Sequence, residues 1–177
     1  MKKLESTWYN MALVLTGIAV VAGAALGYVN SITAPTIEAI KAQQEKEAEQ
    51  QVLNGQEGTA FKETETGFGG TLTVMVGLAP DGKVLGYKVL ESSETPGLGA
   101  KADFWFQKGE IGNIIGKTAG KLTVSKDGGN VDAITASTIT SRAFLKCINA
   151  AYEELSKSNA DGQSGASQQA GEPNNNI

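Results

Sequence analysis

The most conspicuous pattern along the chain is one unbroken apolar block near its start. Met11 to Val29 reads MALVLTGIAVVAGAALGYV and carries no formal charge. A helix rises about 1.5 Å per residue and the bilayer hydrocarbon is about 30 Å thick, so roughly 20 apolar residues cross it. Trp8 and Tyr9 precede the block and Tyr28 stands near its end, as in an interfacial aromatic belt. The pattern predicts a single membrane-spanning helix. A cleaved signal peptide is the alternative, with Ala22-Gly23-Ala24 as cleavage site. The apolar run continues past that site, which favours the anchor. Lys2 and Lys3 flank one side, and on the other the first basic residue is Lys41. Positive charge stays inside, so the N-terminus is expected in the cytoplasm and everything after residue 30 outside.

Residues 36–53, TIEAIKAQQEKEAEQQVL, are rich in good helix formers, and Pro35 suits a first helical turn. They predict a separate polar stalk helix. At Thr71 the period becomes two. Leu72, Val74, Val76 and Leu78 share one face, Ala79-Pro80-Asp81-Gly82 turns, and Leu85, Tyr87 and Val89 resume the alternation. This predicts a β-hairpin. Leu122 to Ser125 is a short strand candidate, followed by a turn at Asp127-Gly128-Gly129-Asn130. From Thr138 to about Lys157 the period is helical, with Phe144, Ile148, Ala151 or Tyr152, and Leu155 on one stripe. Little beyond Lys157 could build a core, so disorder is expected there. The expected organisation is a cytoplasmic stub and transmembrane helix over 1–32, a stalk over 33–54, a small α+β domain over 55–157 and a disordered tail over 158–177.

Composition then removes whole classes of chemistry. The chain has no histidine and one cysteine. A Ser-His-Asp triad, an HExxH zinc site and a CxxCH haem attachment are thereby excluded, as is an iron–sulfur cluster on several thiolates. No metal site is expected, and any redox carrier must be organic. Cys147 reads as a small buried hydrophobe on the C-terminal helix. The formal charge is −4, and it falls mostly outside the anchor, which argues against a nucleic-acid partner.

One stretch asks for more. Residues 132–141 read DAITASTITS, with hydroxyls at Thr135, Ser137, Thr138 and Thr140 where the last helix begins. Helix N-termini leave backbone N–H groups free and favour negative charge. Two readings stay open on residue types alone: N-capping with spare hydroxyls, or a phosphate-binding site.

The segment Asp132-Ala133-Ile134-Thr135-Ala136-Ser137-Thr138 resembles the flavinylation motif of FMN-binding domains in the RnfG and NqrC family, the flavoprotein subunits of Rnf and Nqr electron-transport complexes. Glu94-Thr95-Pro96-Gly97-Leu98-Gly99, followed by Phe104-Trp105-Phe106, is similar to a second family segment. The resemblance spans about residues 5 to 155, and the short length is closer to RnfG. It implies a small extracytoplasmic FMN-binding domain behind a single anchor. It makes Thr138 the residue esterified to FMN phosphate and Asp132 the acidic opening of the motif. Glu94, Thr95, Gly97, Leu98 and Gly99 become the loop against the flavin, with Thr135 and Ser137 beside the acceptor. Trp105 is either a core residue or stacked near the flavin. The sequence departs from the common SGAT core by reading Thr135-Ala136-Ser137-Thr138, with alanine where glycine is usual.

What the resemblance implies for function is a membrane-anchored redox subunit of an ion-translocating ferredoxin:NAD+ oxidoreductase of the Rnf type, placed in a bacterial cytoplasmic membrane. It would carry covalent FMN, installed by a flavin transferase, and work with the other membrane and peripheral subunits. It would not catalyse the overall reaction alone. The alternatives are an NqrC-like or other extracytoplasmic flavoprotein relay, or a non-enzymatic anchored binding or assembly module.

Overall fold

The structure is a computed structural model that describes residues 8–164. Helix α1 runs over Trp8–Leu53, strands β1, β2 and β3 over Thr59–Thr66, Thr71–Leu78 and Val84–Ser92, helix α2 over Ala102–Trp105 and helix α3 over Thr138–Ser164. The chain divides into two compact units, one ending at Gln43 and one beginning at Gln44.

In the first unit the apolar block is helical throughout, and it is long and apolar enough to cross a membrane. Its large apolar side chains, among them Leu13, Leu15, Val21 and Leu26, are exposed, as lipid-facing residues would be. The expected boundary at Pro35 is absent, because α1 passes through it without a break. Proline there removes one backbone donor. Just before it the Ser31 and Thr33 hydroxyls donate to the carbonyls of Tyr28 and Val29, each at 2.8 Å, giving this turn extra internal bonds.

The second unit is an antiparallel three-stranded sheet in the order β1-β2-β3, with helices on both faces. One face is the main core. Leu72, Val74, Val76 and Leu78, as their alternation predicted, meet Phe144, Cys147, Ile148, Ala151 and Leu155 of α3. Phe106 stacks on Phe144 with centroids 4.3 Å apart, and Tyr87 meets the same ring edge-on. The Tyr87 hydroxyl donates to the Ala102 carbonyl at 2.8 Å and accepts the Phe106 N–H. Burial pushes both the Tyr87 phenol and the Cys147 thiol upward, the thiol to about 12. Cys147 is therefore an inert core residue.

On the other face Met75 packs on Ala48 and Val52 of α1. These two residues convert the polar stalk reading into something more specific: the last turns of α1 belong to the domain. Gly77 and Gly86 are cross-strand partners. A Cβ on either would lie 2.6 or 2.8 Å from the Val52 carbonyl oxygen, so only glycine lets the helix backbone come this close. The helix stops where Asn54 and Gly55 turn left-handed (φ 46° and 70°), a common helix ending.

Four further elements differ from expectation. β1 is a strand the period did not reveal, because its half-buried positions include Glu63 and Glu65. In β3 the core face takes Val84 and Tyr87 rather than Leu85. A register shift between Gly77 and Leu78 pairs Leu78 with Val84 and leaves Leu85 out, a β-bulge. Leu122 to Ser125 forms only a bridge from Val124 to Val131, followed by a 3-10 turn at Ser125–Asp127. Helix α3 continues past Lys157 to Ser164, since no proline stops it. The remainder of the expected tail lies outside the described residues.

Candidate functional site

The two segments singled out in the sequence meet across one cavity. Glu94, Thr95, Leu98 and Gly99 line one side, and Ala136, Ser137, Thr138, Ile139 and Thr140 the other, with Phe68 completing the rim. Its volume is about 310 Å3, at the lower end of the roughly 300–1,000 Å3 usual for small-molecule sites.

The turn that leads into α3 is built from the motif itself. Ser137 N–H closes on the Ile134 carbonyl at 3.0 Å. Ala136, third in that turn, has φ 62°, the left-handed value that glycine usually supplies. The alanine substitution thus keeps a glycine-like backbone. Ser137 then opens the helix, its carbonyl accepting the Ser141 N–H at 3.0 Å. The buried Ser141 hydroxyl donates to that same carbonyl and accepts the Ile134 N–H, both at 2.9 Å. Ser141 therefore locks turn to helix. Sequence reasoning passed it over, although a hydroxyl one turn after a helix start can bond back in this way.

Thr138 is the first residue of α3 and half-buried at the cavity wall. Its hydroxyl accepts from the Lys126 ammonium at 3.3 Å. Lys126 sits in the Ser125–Asp127 turn, which is tied down at both ends. Arg142 of α3 grips Asp127 with two bonds of 2.7 Å, and this pairing holds the Asp127 carboxyl below its usual range. Ser125 donates to Asp132 at 3.0 Å. Asp132 does not line the cavity. Its carboxylate fixes the lysine-bearing turn, and its carbonyl takes the Trp105 indole N–H at 2.9 Å. Trp105 does not line the cavity either. It packs against the core, closing on Gly112.

Glu94 is buried, and its carboxylate accepts the N–H groups of Phe68 at 2.7 Å and Gly69 at 3.3 Å. It thus organises the glycine-rich turn between β1 and β2. Gly99 is buried where any Cβ would run into the Glu94 carboxylate and the Thr140 hydroxyl. Gly97 and Thr135 do not line the cavity. Gly97 has φ 79° with open space around it, a turn requirement rather than a close approach. Thr140 is only 1% exposed, and its hydroxyl oxygen has no hydrogen-bond partner among the described residues. Buried polar atoms of that kind are rare, and this one belongs to the cavity wall. Phe68, Leu98 and Ile139 give the mouth an apolar, exposed rim.

The family described as FMN-binding domain matches residues 67–153, and that described as RnfG N-terminal region matches residues 1–54. The chain is similar to the G subunit of the Na+-translocating ferredoxin:NAD+ oxidoreductase complex of Acetobacterium woodii, 31% identical over 88% of this chain and 98% of that protein. The chain belongs to the RnfG family. Other RnfG-type relatives align over about half of the chain. The G subunit of the proton-translocating ferredoxin:NAD+ oxidoreductase complex of Clostridium ljungdahlii is 39% identical over 50% of this chain and 48% of its own. The G subunit of the ion-translocating oxidoreductase complex of Vibrio atlanticus is 36% identical over 52% and 46%. The chain thus spans about half the length of these two curated relatives. As an RnfG family member it has an FMN-binding domain whose cavity lies within the matched residues.

Proposed function

We propose that this chain is the anchored flavoprotein subunit of an ion-translocating ferredoxin:NAD+ oxidoreductase complex, and that it carries FMN as a phosphoester on Thr138. The observation that carries the reading is the cavity itself. It joins the Glu94–Gly99 loop to the first turn of α3, with Thr138 in its wall. The residues fit the group. Free N–H groups of the first helical turn suit a phosphate. Gly99 leaves backbone in the wall without a side chain, and Thr140 offers an unpartnered buried hydroxyl. Phe68, Leu98 and Ile139 suit the apolar edge of a ring system.

FMN, when bound, would supply the electron-carrying chemistry. A threonine hydroxyl is a weak nucleophile, so attachment requires a separate flavin transferase with FAD as donor: the Thr138 oxygen would bond to the FMN phosphorus as the FAD pyrophosphate bond breaks and AMP leaves. The covalent bond keeps the cofactor in place on the outer side of the membrane, where Lys2 and Lys3 orient the domain. Electrons then pass through this chain between other subunits of the complex.

The test is intact mass and peptide mapping after co-expression with a flavin transferase. The wild-type chain is expected to gain one FMN on the peptide holding Thr138. Thr138→Ala should abolish the adduct and Thr138→Ser retain it. An adduct that persists in Thr138→Ala, or maps to Ser137 or Thr140, refutes the assignment.

A further inference from the structure

We infer that Lys126 is the cation that compensates the phosphate held at Thr138, and that Asp132, Ser125, Asp127 and Arg142 are its positioning residues. The inference rests on the reading of Thr138 as the phosphoester site. It starts from an electrostatic oddity. A helix N-terminus carries partial positive charge and favours anions, yet the Lys126 ammonium lies 3.3 Å from the hydroxyl of the first residue of α3. Two cations stand at this helix start. Arg142 is neutralised by its paired bonds to Asp127. Lys126 makes no ion pair among the described residues, and Thr138 is its neighbour.

A free surface lysine would swing away from such a place. Here its turn is held from both sides: Arg142 pulls Asp127 onto α3, and Asp132 holds Ser125. Gly128, at φ 83°, closes the turn. Both clamps converge on the residue between them. The second pointer to a ligand is independent of charge. Thr140, in the same cavity wall, keeps a buried hydroxyl oxygen with no partner among the described residues. An anion beside Thr138 resolves the oddity, because it separates the ammonium from the helix end and is attracted to both. The arrangement also gives Asp132 a task that a cavity-lining role would not. It acts on the phosphate through Ser125 and Lys126 rather than by contact.

The experiment compares Lys126→Gln, Lys126→Arg and wild type, each as the full chain in detergent, with Lys121→Gln as a distant control. Thermal unfolding is measured on the flavin-free and the flavin-loaded forms. Phosphorus NMR is recorded on the loaded forms, and loading is followed by mass with FAD and purified transferase. In the flavin-free form Lys126→Gln should unfold at the same or a higher temperature than wild type. In the loaded form it should unfold lower, with a shifted phosphorus resonance. Loading should slow by up to about fivefold, the range of one exposed charge pair. Lys126→Arg should restore the loaded-form behaviour, and Lys121→Gln should change nothing. Equal destabilisation of both forms by Lys126→Gln would show a purely structural lysine and overturn the inference, as would an unmoved phosphorus resonance. Wild-type protein whose FMN maps away from Thr138 would instead overturn the phosphoester reading itself, so the two failures are distinguishable.

Discussion

Replacing Ala136 with glycine should make the domain more stable, against the usual direction of such a change. Ala136 holds φ 62° in the turn that opens α3. For a residue with a Cβ that conformation costs roughly 1–2 kcal/mol. Glycine would relieve it but give the unfolded chain more freedom, at a cost of about 0.4–1 kcal/mol. The difference leaves a net gain on the order of 0.5–1 kcal/mol. For a domain of this size 1 kcal/mol moves the midpoint by roughly 4–8 °C, so Ala136→Gly should raise it by about 2–8 °C. The assay is thermal unfolding of the flavin-free chain in detergent, followed by tryptophan fluorescence. Trp105 is bonded to the carbonyl of Asp132, in the same motif as the substitution. Ala136→Val is the opposing control, since a β-branched side chain tolerates the left-handed region less well, and it should lower the midpoint. A fall in midpoint for Ala136→Gly would mean that the turn is unstrained and that its backbone argument is wrong.

Three further outcomes are expected. Gly77→Ala should destabilise the domain by about 1–3 kcal/mol, because the new Cβ would lie 2.6 Å from the Val52 carbonyl oxygen; a midpoint equal to wild type would show that α1 is not seated there. The Glu63 carboxyl is held above the ordinary glutamate range by burial first, then by Glu154 and Glu65, with Lys157 opposing. A carboxyl raised on folding stabilises the fold fully below its unfolded pKa and loses that contribution as pH rises through the folded value. Glu63→Gln should therefore raise the melting temperature at pH 7 and not at pH 4, and a gain of equal size at both would refute the titration argument. A reporter fused after residue 60 should be active only outside the cytoplasm, and activity inside would reverse the orientation read from Lys2 and Lys3.

What the sequence disclosed follows from where one physical signal dominates. Lipid demands an unbroken apolar run, so Met11 to Val29 was legible, and one-sided burial made β2 and the α3 stripe legible through their periods. β1 escaped because Glu63 and Glu65 stand at half-buried positions, where alternation usually shows apolar residues. The β3 face departs from its apparent period because a bulge at Leu85 breaks the alternation without leaving a compositional mark. At the site, both loops were recognisable as motifs, but the part each residue takes was not. Glu94 organises the Phe68 turn, Asp132 the lysine-bearing turn and Ser141 the helix start. Lys126 stands in a different segment from either motif, and only the fold brings it to Thr138.

The paired glycines under Val52 bear on how the domain can be handled in the laboratory. A soluble fragment started at residue 55 would discard Ala48 and Val52, leave Met75 uncovered, and expose Gly77 and Gly86 as a bare groove on the sheet. Such a fragment invites self-association through that face. One started at Gln44 keeps its own helical cover and retains the Glu45–Lys62 ion pair, making it the better starting point for crystallisation or for flavin loading without detergent.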